Sequence, residues 1–158
     1  MKNAKQGAAD GAGRAGPAAR AEGTLILVVD DFTDNREMYA QYLAFRGFRV
    51  AEAADGHEAL RKAGELMPDL VVMDLSLPGL DGWEATRRLK RDGRTRAIPV
   101  IALTGHALDG YSQSARDAGC DSFLIKPCQP QDLENEIRRV LAIEGAEPEP
   151  RGRKERHA

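Results

Sequence analysis

The feature that most constrains the fold is an apolar run that ends on two adjacent acids, in the segment TLILVVDD from Thr24 to Asp31. Leu25 to Val29 are all apolar, and a short run rich in β-branched residues is typical of a strand buried on both faces of a parallel sheet. An ionised carboxylate without a partner is costly to bury there. Asp30 and Asp31 therefore either cap a following helix, since Asp is a favourable N-cap, or serve another purpose at the strand end.

Similar strand segments recur along the chain and alternate with segments of helical periodicity. The predicted strands are Leu25–Asp30, Phe48–Ala53, Asp69–Asp74, Pro99–Leu103 and Ser122–Ile125. The predicted helices are Thr33–Arg46, Asp55–Leu66, Trp83–Arg91, Ala107–Ala118 and Gln131–Ile143. Strands that alternate with helices form right-handed βαβ units, so the sequence predicts an α/β fold with a parallel sheet covered by helices on both faces.

The first two helices carry specific expectations about their ends and their buried faces. The first is expected to be capped by Thr33 or Asp34 and to stop at Gly47. Its apolar positions are Met38, Tyr42, Leu43 and Phe45. The apolar stripe predicted for the second helix is Ala59, Leu60, Ala63, Leu66 and Met67.

Composition excludes several classes of protein. A chain of 158 residues suits one domain with tails, and residues 1–23 and 144–158 are too polar to bury much apolar surface, so both are expected to be disordered. A net charge of −2 gives no case for DNA binding, although the basic C-terminal end could contact an acidic partner. No segment approaches the roughly 20 apolar residues of a membrane span. Cys120 and Cys128 fit free thiols of a reducing cytoplasm.

Polar side chains stand at the ends of four of the five predicted strands. They are Asp30 and Asp31, Asp74, Thr104 and Lys126. The carboxyl ends of parallel strands share one edge of the sheet, and this edge is where such folds bind ligands. Three acids, a hydroxyl and an amine at one edge favour a binding site over simple helix capping.

This set of residues predicts chemistry with a phosphoryl group. Three converging carboxylates repel one another unless a cation neutralises them, and Mg²⁺ prefers hard oxygen ligands. Lys126 adds a fixed positive charge and Thr104 a hydroxyl donor. Asp74 could then act as a nucleophile that forms an acyl phosphate, with catalysis by positioning and charge neutralisation.

Four segments, LVVDD, VVMDLSLPGLDG, IALTG and FLIKP, occur in an order and spacing that resemble the signature of the response-regulator receiver domain. This domain is the phospho-acceptor module of two-component signalling. The resemblance covers residues 24–143. It implies a flavodoxin-like, doubly wound, five-stranded parallel sheet of order 2-1-3-4-5 with five helices.

The resemblance also implies roles for single residues. Asp74 would be phosphorylated, and Mg²⁺ would be held by Asp30, Asp31, Asp74 and the backbone carbonyl of Ser76. Thr104 and Phe123 would form the conformational switch, and Lys126 would contact the phosphoryl group. The Lys126–Pro127 peptide bond would be cis. Ser76 and His106 occupy positions that could tune the lifetime of the phosphate.

The expected function is that of a single-domain response regulator, not an enzyme beyond its own phosphorylation and dephosphorylation. A sensor histidine kinase or a histidine phosphotransfer protein would supply the phosphoryl group. A downstream protein would bind the face formed by the fourth helix, the fifth strand and the fifth helix, or the phosphate would be relayed. No membrane partner is expected.

Two other functions use similar residues. A Mg²⁺-dependent aspartyl-phosphate phosphohydrolase also needs a strand-end Asp, but it requires a second Asp where Ser76 stands here. A nucleotide-binding flavodoxin relative would need a Gly-rich phosphate loop, which the sequence lacks. Among the remaining residues, Trp83 is interpreted as covering the sheet and His57 as a surface residue. Cys128 is interpreted as an ordinary thiol, with redox sensitivity as the alternative.

Overall fold

The computed structural model describes residues 21–105 and 116–143. Its strands are β1 Leu25–Val29, β2 Arg49–Ala53, β3 Leu70–Asp74, β4 Val100–Thr104 and β5 Ser122–Ile125. Its helices are α1 Thr33–Phe45, α2 Gly56–Leu66, α3 Gly82–Arg91, α4 at residues 116–118, and α5 Pro130–Leu141. The expected tails, except residues 21–23, and most of the helix predicted over Ala107–Ala118 lie outside the described residues.

The strands form one parallel sheet of order β2-β1-β3-β4-β5, which confirms the predicted topology. All residues of β1, β3 and β4 are buried, because helices cover the sheet on both faces. Alternate residues of the strands point into two separate cores. One core joins the sheet to α2 and α3, and the other joins it to α1 and α5. No helix in the described ranges has the length and apolarity to cross a bilayer.

The N-cap and the buried face of helix α1 differ from the predictions. Its N-cap is Phe32, which makes no side-chain capping bond, so the predicted caps Thr33 and Asp34 are wrong. Its buried face is Tyr39, Ala40 and Leu43. Met38 is 42% exposed and Phe45 is 84% exposed, because the sheet meets the opposite side of the helix. Gly47 does terminate the helix, with a left-handed φ of 103°.

The end of α2 also differs from the prediction. Leu66 and Met67 are 45% and 47% exposed, although both were placed on the buried stripe. Met67 is the C-cap of α2, and its φ of 49° turns the chain away from the core. The buried face of α2 is therefore shorter than the apolar pattern suggested, and it consists of Gly56, Ala59 and Ala63.

A group of polar and charged side chains around the buried Glu134, named here the Glu134 cluster, joins α1 to α5. The Glu134 carboxylate accepts hydrogen bonds from the Tyr42 hydroxyl at 3.0 Å, from Arg46 Nε at 3.0 Å and from Arg138 Nε at 2.8 Å. The Arg138 guanidinium lies 5.2 Å from the centre of the Phe48 ring. Burial raises the pKa of Glu134, but the three hydrogen bonds together outweigh it and hold that pKa below its ordinary value.

Candidate functional site

Three carboxylates meet at the carboxyl edge of the sheet. Asp30 and Asp31 follow β1 directly, Asp74 ends the neighbouring β3, and these two strands are paired. Each of the three offers one carboxylate oxygen within 4.8 Å of the others. Asp30 and Asp74 are buried, whereas Asp31 is exposed. The sheet therefore brings together the acids that the sequence predicted.

Lys126 reaches the same pocket from the end of β5. Its Nζ lies 3.2 Å from Asp74 Oδ2 and 3.7 Å from Asp30 Oδ2. Its backbone N–H donates to the Thr104 carbonyl at 2.7 Å, and the peptide bond to Pro127 is cis. One lysine thus compensates two buried acids, which leaves the pocket with an excess of negative charge.

Thr104 lies beside the acids on β4. Asp74 pairs in register with Leu103, so Thr104 is one residue further along the adjacent strand. Thr104 is 2% exposed. The position places a buried hydroxyl-bearing residue at the edge of the pocket next to Asp74.

Backbone N–H groups occupy one oxygen of each buried acid. Phe32 N–H donates to Asp30 Oδ1 at 2.8 Å, and Ser76 N–H donates to Asp74 Oδ1 at 2.9 Å. Asp30 Oδ2 is buried and accepts no hydrogen bond within the described part of the chain. The Lys126 ammonium, 3.7 Å away, compensates this burial only in part, and a buried polar atom without a hydrogen bond needs an explanation.

Burial raises the pKa of Asp30 above its ordinary value. The nearby Asp74 and Asp31 carboxylates push this pKa in the same direction, while Phe32 N–H and Lys126 oppose them. A divalent cation would remove this conflict, because it would give the buried Asp30 oxygen a partner and balance the excess charge. The three carboxylates therefore fit a hard cation such as Mg²⁺.

The remaining predicted residues have different surroundings. Ser76 is exposed beside the acids. Phe123 and Trp83 are partly buried, and both pack against the core that contains α2 and α3. His57 is exposed, as expected. His106 lies outside the described residues.

Three residues near the pocket were not given a role from the sequence. A Cβ on Gly82 would lie 2.3 Å from the Asp74 carbonyl oxygen, so only glycine lets α3 begin this close to β3. Arg36 and Glu52 form an ion pair next to the acids, at 3.0 Å. The segment LPGLDG hinted at Gly82, whereas the two charged residues resemble ordinary surface residues in the sequence.

The strand order and the pocket define a class of α/β domain with a carboxylate-rich pocket at the carboxyl edge of its sheet. The family model for the response regulator receiver domain matches residues 26–138. The chain belongs to this family, whose members are phospho-acceptor modules of two-component signalling that receive phosphate from histidine kinases or phosphotransfer proteins.

Similar proteins and structures agree with this assignment. The chain is 37% identical to the phosphate regulon transcriptional regulatory protein PhoB of Pseudomonas aeruginosa over 123 residues, which are 78% of this chain and 54% of PhoB. It thus spans about half the length of that relative. It is 36% identical to the polar-differentiation response regulator DivK of Brucella anthropi over 102 residues, which are 65% of this chain and 83% of DivK.

Among solved structures, the receiver domain of the sensor histidine kinase PA1611 of Pseudomonas aeruginosa has a TM-score of 0.70 and 36% sequence identity. The match covers 75% of this chain and 98% of that domain, which has a magnesium ion coordinated in its active site cleft. These similarities confirm the predicted family and fold. They leave the roles of single residues in this chain as predictions.

Proposed function

We propose that this receiver domain accepts a phosphoryl group on Asp74. The observation that carries the proposal is the placement of the buried Asp74 carboxylate between Lys126, at 3.2 Å, and the acids of β1. Phosphoryl transfer needs a nucleophile held in line and positive charge near the transferred oxygens. Asp74 supplies the first, and Lys126 supplies part of the second.

The transfer begins at a phosphohistidine of a histidine kinase or phosphotransfer protein. An oxygen of the Asp74 carboxylate attacks the phosphorus, and the new O–P bond forms as the P–N bond breaks. The electron pair of that bond returns to the imidazole nitrogen, which takes a proton from water. Ser76 N–H, bonded to Asp74 Oδ1, fixes the orientation of the carboxylate during the attack.

Asp30 and Asp31, together with Asp74 and the backbone carbonyl of Ser76, would hold Mg²⁺. The bound cation would neutralise the carboxylates and the phosphoryl oxygens. Lys126 would turn from Asp74 Oδ2 toward the new phosphoryl group. The magnesium ion in the similar receiver domain of PA1611 supports this assignment.

Thr104 and Phe123 are proposed as the switch. The Thr104 hydroxyl would donate to a phosphoryl oxygen, and the partly buried Phe123 would move toward the space that Thr104 leaves. The output surface would be the face of α4, β5 and α5. Addition of beryllofluoride and Mg²⁺ should shift the amide resonances around Phe123, and unchanged resonances would contradict the switch.

We also propose that the protein acts as a single-domain regulator in the cytoplasm. The match to DivK, which covers 83% of that regulator, supports a protein that signals through its own surface. Cys120 and Cys128 do not form a disulfide, which supports a reducing compartment. The kinase that phosphorylates the protein fastest in a panel of purified kinases would identify the pathway.

Phosphorylation is tested directly by mass spectrometry. Incubation with acetyl phosphate and Mg²⁺ should add one phosphoryl group, and Asp74→Asn or removal of Mg²⁺ should abolish the gain. Asp34→Asn replaces an exposed acid of α1; it is the matched control and should gain the phosphoryl group as wild type does. A mass gain that survives in Asp74→Asn would refute the assignment.

The same sample separates a phospho-acceptor from a phosphohydrolase. A phospho-acceptor takes up about one equivalent and releases it slowly, whereas a hydrolase turns over a small phosphate ester steadily. Sustained release of inorganic phosphate from an ester such as para-nitrophenyl phosphate, lost in Asp74→Asn, would favour the hydrolase.

A further inference from the structure

The Arg36 side chain connects the ends of two strands just behind the acid pocket. Its Nη1 donates to the backbone carbonyl of Asp30 at 3.0 Å, and its Nε donates to Glu52 Oε1 at 3.0 Å. The Arg36 side chain is 15% exposed and that of Glu52 is 40% exposed, so the guanidinium is largely buried while its carboxylate partner faces solvent in part. One planar guanidinium thus holds one acceptor at the end of β1 and one on β2.

The carbonyl that Arg36 holds controls the direction of the next side chain. The carbonyl of Asp30 belongs to the planar peptide group that joins Asp30 to Asp31. Fixing this plane restricts the two backbone rotations beside it, and these rotations determine where the Asp31 side chain leaves the backbone. The Asp31 side chain is exposed beside the two buried acids, so the backbone sets its place in the pocket.

Glu52 gives the guanidinium a rigid anchor. Glu52 pairs in register with Val28 inside the sheet. Its backbone carbonyl accepts a bond from Lys62 Nζ, so helix α2 also holds this point. Because the Glu52 backbone is held by β1 and α2, the bond from its carboxylate to Arg36 ties the Asp30–Asp31 peptide to the sheet.

We propose that Arg36 is a positioning residue for the Mg²⁺-binding pair Asp30 and Asp31, with Glu52 as its anchor. The inference rests on the proposed magnesium site and assigns the residue that sets its geometry. Partners that orient metal ligands change metal affinity by about 10- to 100-fold when they are removed. The two effects of removing the Arg36 side chain on Mg²⁺ affinity are opposite. Loss of the positioning should weaken binding, whereas loss of a positive charge beside three acids would by itself strengthen it.

The experiment is calorimetric titration of MgCl₂ into wild type, Arg36→Met and Arg36→Lys. Arg36→Met should bind Mg²⁺ at least about 10-fold more weakly than wild type. Arg36→Lys keeps the charge but cannot present a planar fork to two acceptors, so its affinity should also fall. Arg46→Met is the matched control: Arg46 lies at the other end of α1, bonds to Glu134 at 3.0 Å and should leave the affinity unchanged.

A second measurement needs no metal. In the ¹⁵N spectrum of the metal-free protein, both Arg36 variants should shift the Asp31 amide resonance, whereas Arg46→Met should not. Urea unfolding checks that each variant is folded, and Arg36→Lys keeps the test decisive if Arg36→Met does not fold. A wild-type or tighter Mg²⁺ affinity in Arg36→Lys would overturn the positioning role.

Different results would contradict the proposed function and the positioning role of Arg36. If wild type neither binds Mg²⁺ nor accepts a phosphoryl group, the site assignment itself is wrong. If wild type does both and the Arg36 variants do so with equal affinity, only the positioning role is wrong.

Discussion

Replacing Asp30 with Asn should stabilise the metal-free protein. Burial raises the pKa of Asp30, and the neighbouring acids add to this shift. A folded-state pKa above the ordinary value means that the ionised carboxylate destabilises the fold. The neutral Asp30 is tolerated at low pH, and the free energy of unfolding falls as pH rises through the folded pKa. Asn keeps the oxygen that accepts the Phe32 N–H at 2.8 Å and removes the charge.

The geometry sets the size of the effect. Two unit charges 4.8 Å apart, the upper limit for the acid pairs, repel by about 1 kcal/mol in water and by about 3.5 kcal/mol at an effective dielectric constant of about 20. Asp30 faces two such charges, and attraction to Lys126 at 3.7 Å offsets about one of them. The net repulsion is therefore that of about one charge, and with the cost of burial added we expect a gain of at least about 1 kcal/mol, and up to about 3.5 kcal/mol, in the free energy of unfolding at neutral pH.

Urea unfolding at pH 7, with EDTA and with Mg²⁺, measures both parts of the reasoning. Mg²⁺ at ten times its Kd should stabilise wild type by about 1.4 kcal/mol and should stabilise Asp30→Asn much less. The control Asp34→Asn removes an acid from the first turn of α1, so it should lose up to about 1 kcal/mol and keep the Mg²⁺ effect. An Asp30→Asn protein that is less stable than wild type in EDTA would refute the idea that the acids repel.

Three shorter predictions concern other parts of the molecule. Gly82→Ala places a Cβ 2.3 Å from the Asp74 carbonyl oxygen, so it should cost about 2 kcal/mol or more in urea unfolding and slow phosphorylation by acetyl phosphate. Because the pKa of Glu134 is lowered, its contribution to the free energy of unfolding should be complete above its unfolded pKa near 4.5 and be lost as pH falls through the folded pKa. Unfolding experiments over a pH series should show that this loss at low pH is smaller in Glu134→Gln. Burial raises the pKa of Cys120 from 9.0 to about 11, so in a Cys128→Ser background its alkylation by iodoacetamide at pH 8 should be about 100-fold slower than in urea, and equal rates would contradict the burial of the thiol.

The pocket could be predicted from the sequence because its residues follow directly from strand ends. Apolar runs of four or five residues identify β1, β3 and β4, and the helix between successive strands makes them parallel. Parallel strands then bring their last residues to one edge regardless of their distance along the chain. Asp30, Asp74 and Lys126 therefore needed only the correct strand boundaries.

The rotation of α1 could not be predicted in the same way. Apolar residues occur on both sides of this helix, and its buried Tyr39 and Leu43 look no different in the sequence from the exposed Met38 and Phe45. Only the sheet decides which side is covered. Helical periodicity therefore located α1 but could not orient it.

The ion pair between Arg36 and Glu52 could not be predicted from the sequence, for a related physical reason. The two residues are 16 positions apart, and their contact depends on both the rotation of α1 and the register of β1 with β2. Charged residues in a helix and a strand are also expected on solvated surfaces. Their role becomes visible only when the acceptor at Asp30 is known.

Within the described residues, two residues other than glycine have a left-handed backbone conformation, and both lie at the ends of helices. Met67, with φ of 49°, follows α2, and Ala142, with φ of 57°, follows α5. A side chain in this conformation costs about 1 kcal/mol, and glycine removes that cost. The melting temperature of Met67→Gly should therefore be higher than that of wild type. Its uptake of a phosphoryl group from acetyl phosphate should be unchanged. Thermal stability and signalling could thus be altered by separate substitutions, because Met67 and Ala142 lie apart from the acids proposed to accept the phosphoryl group.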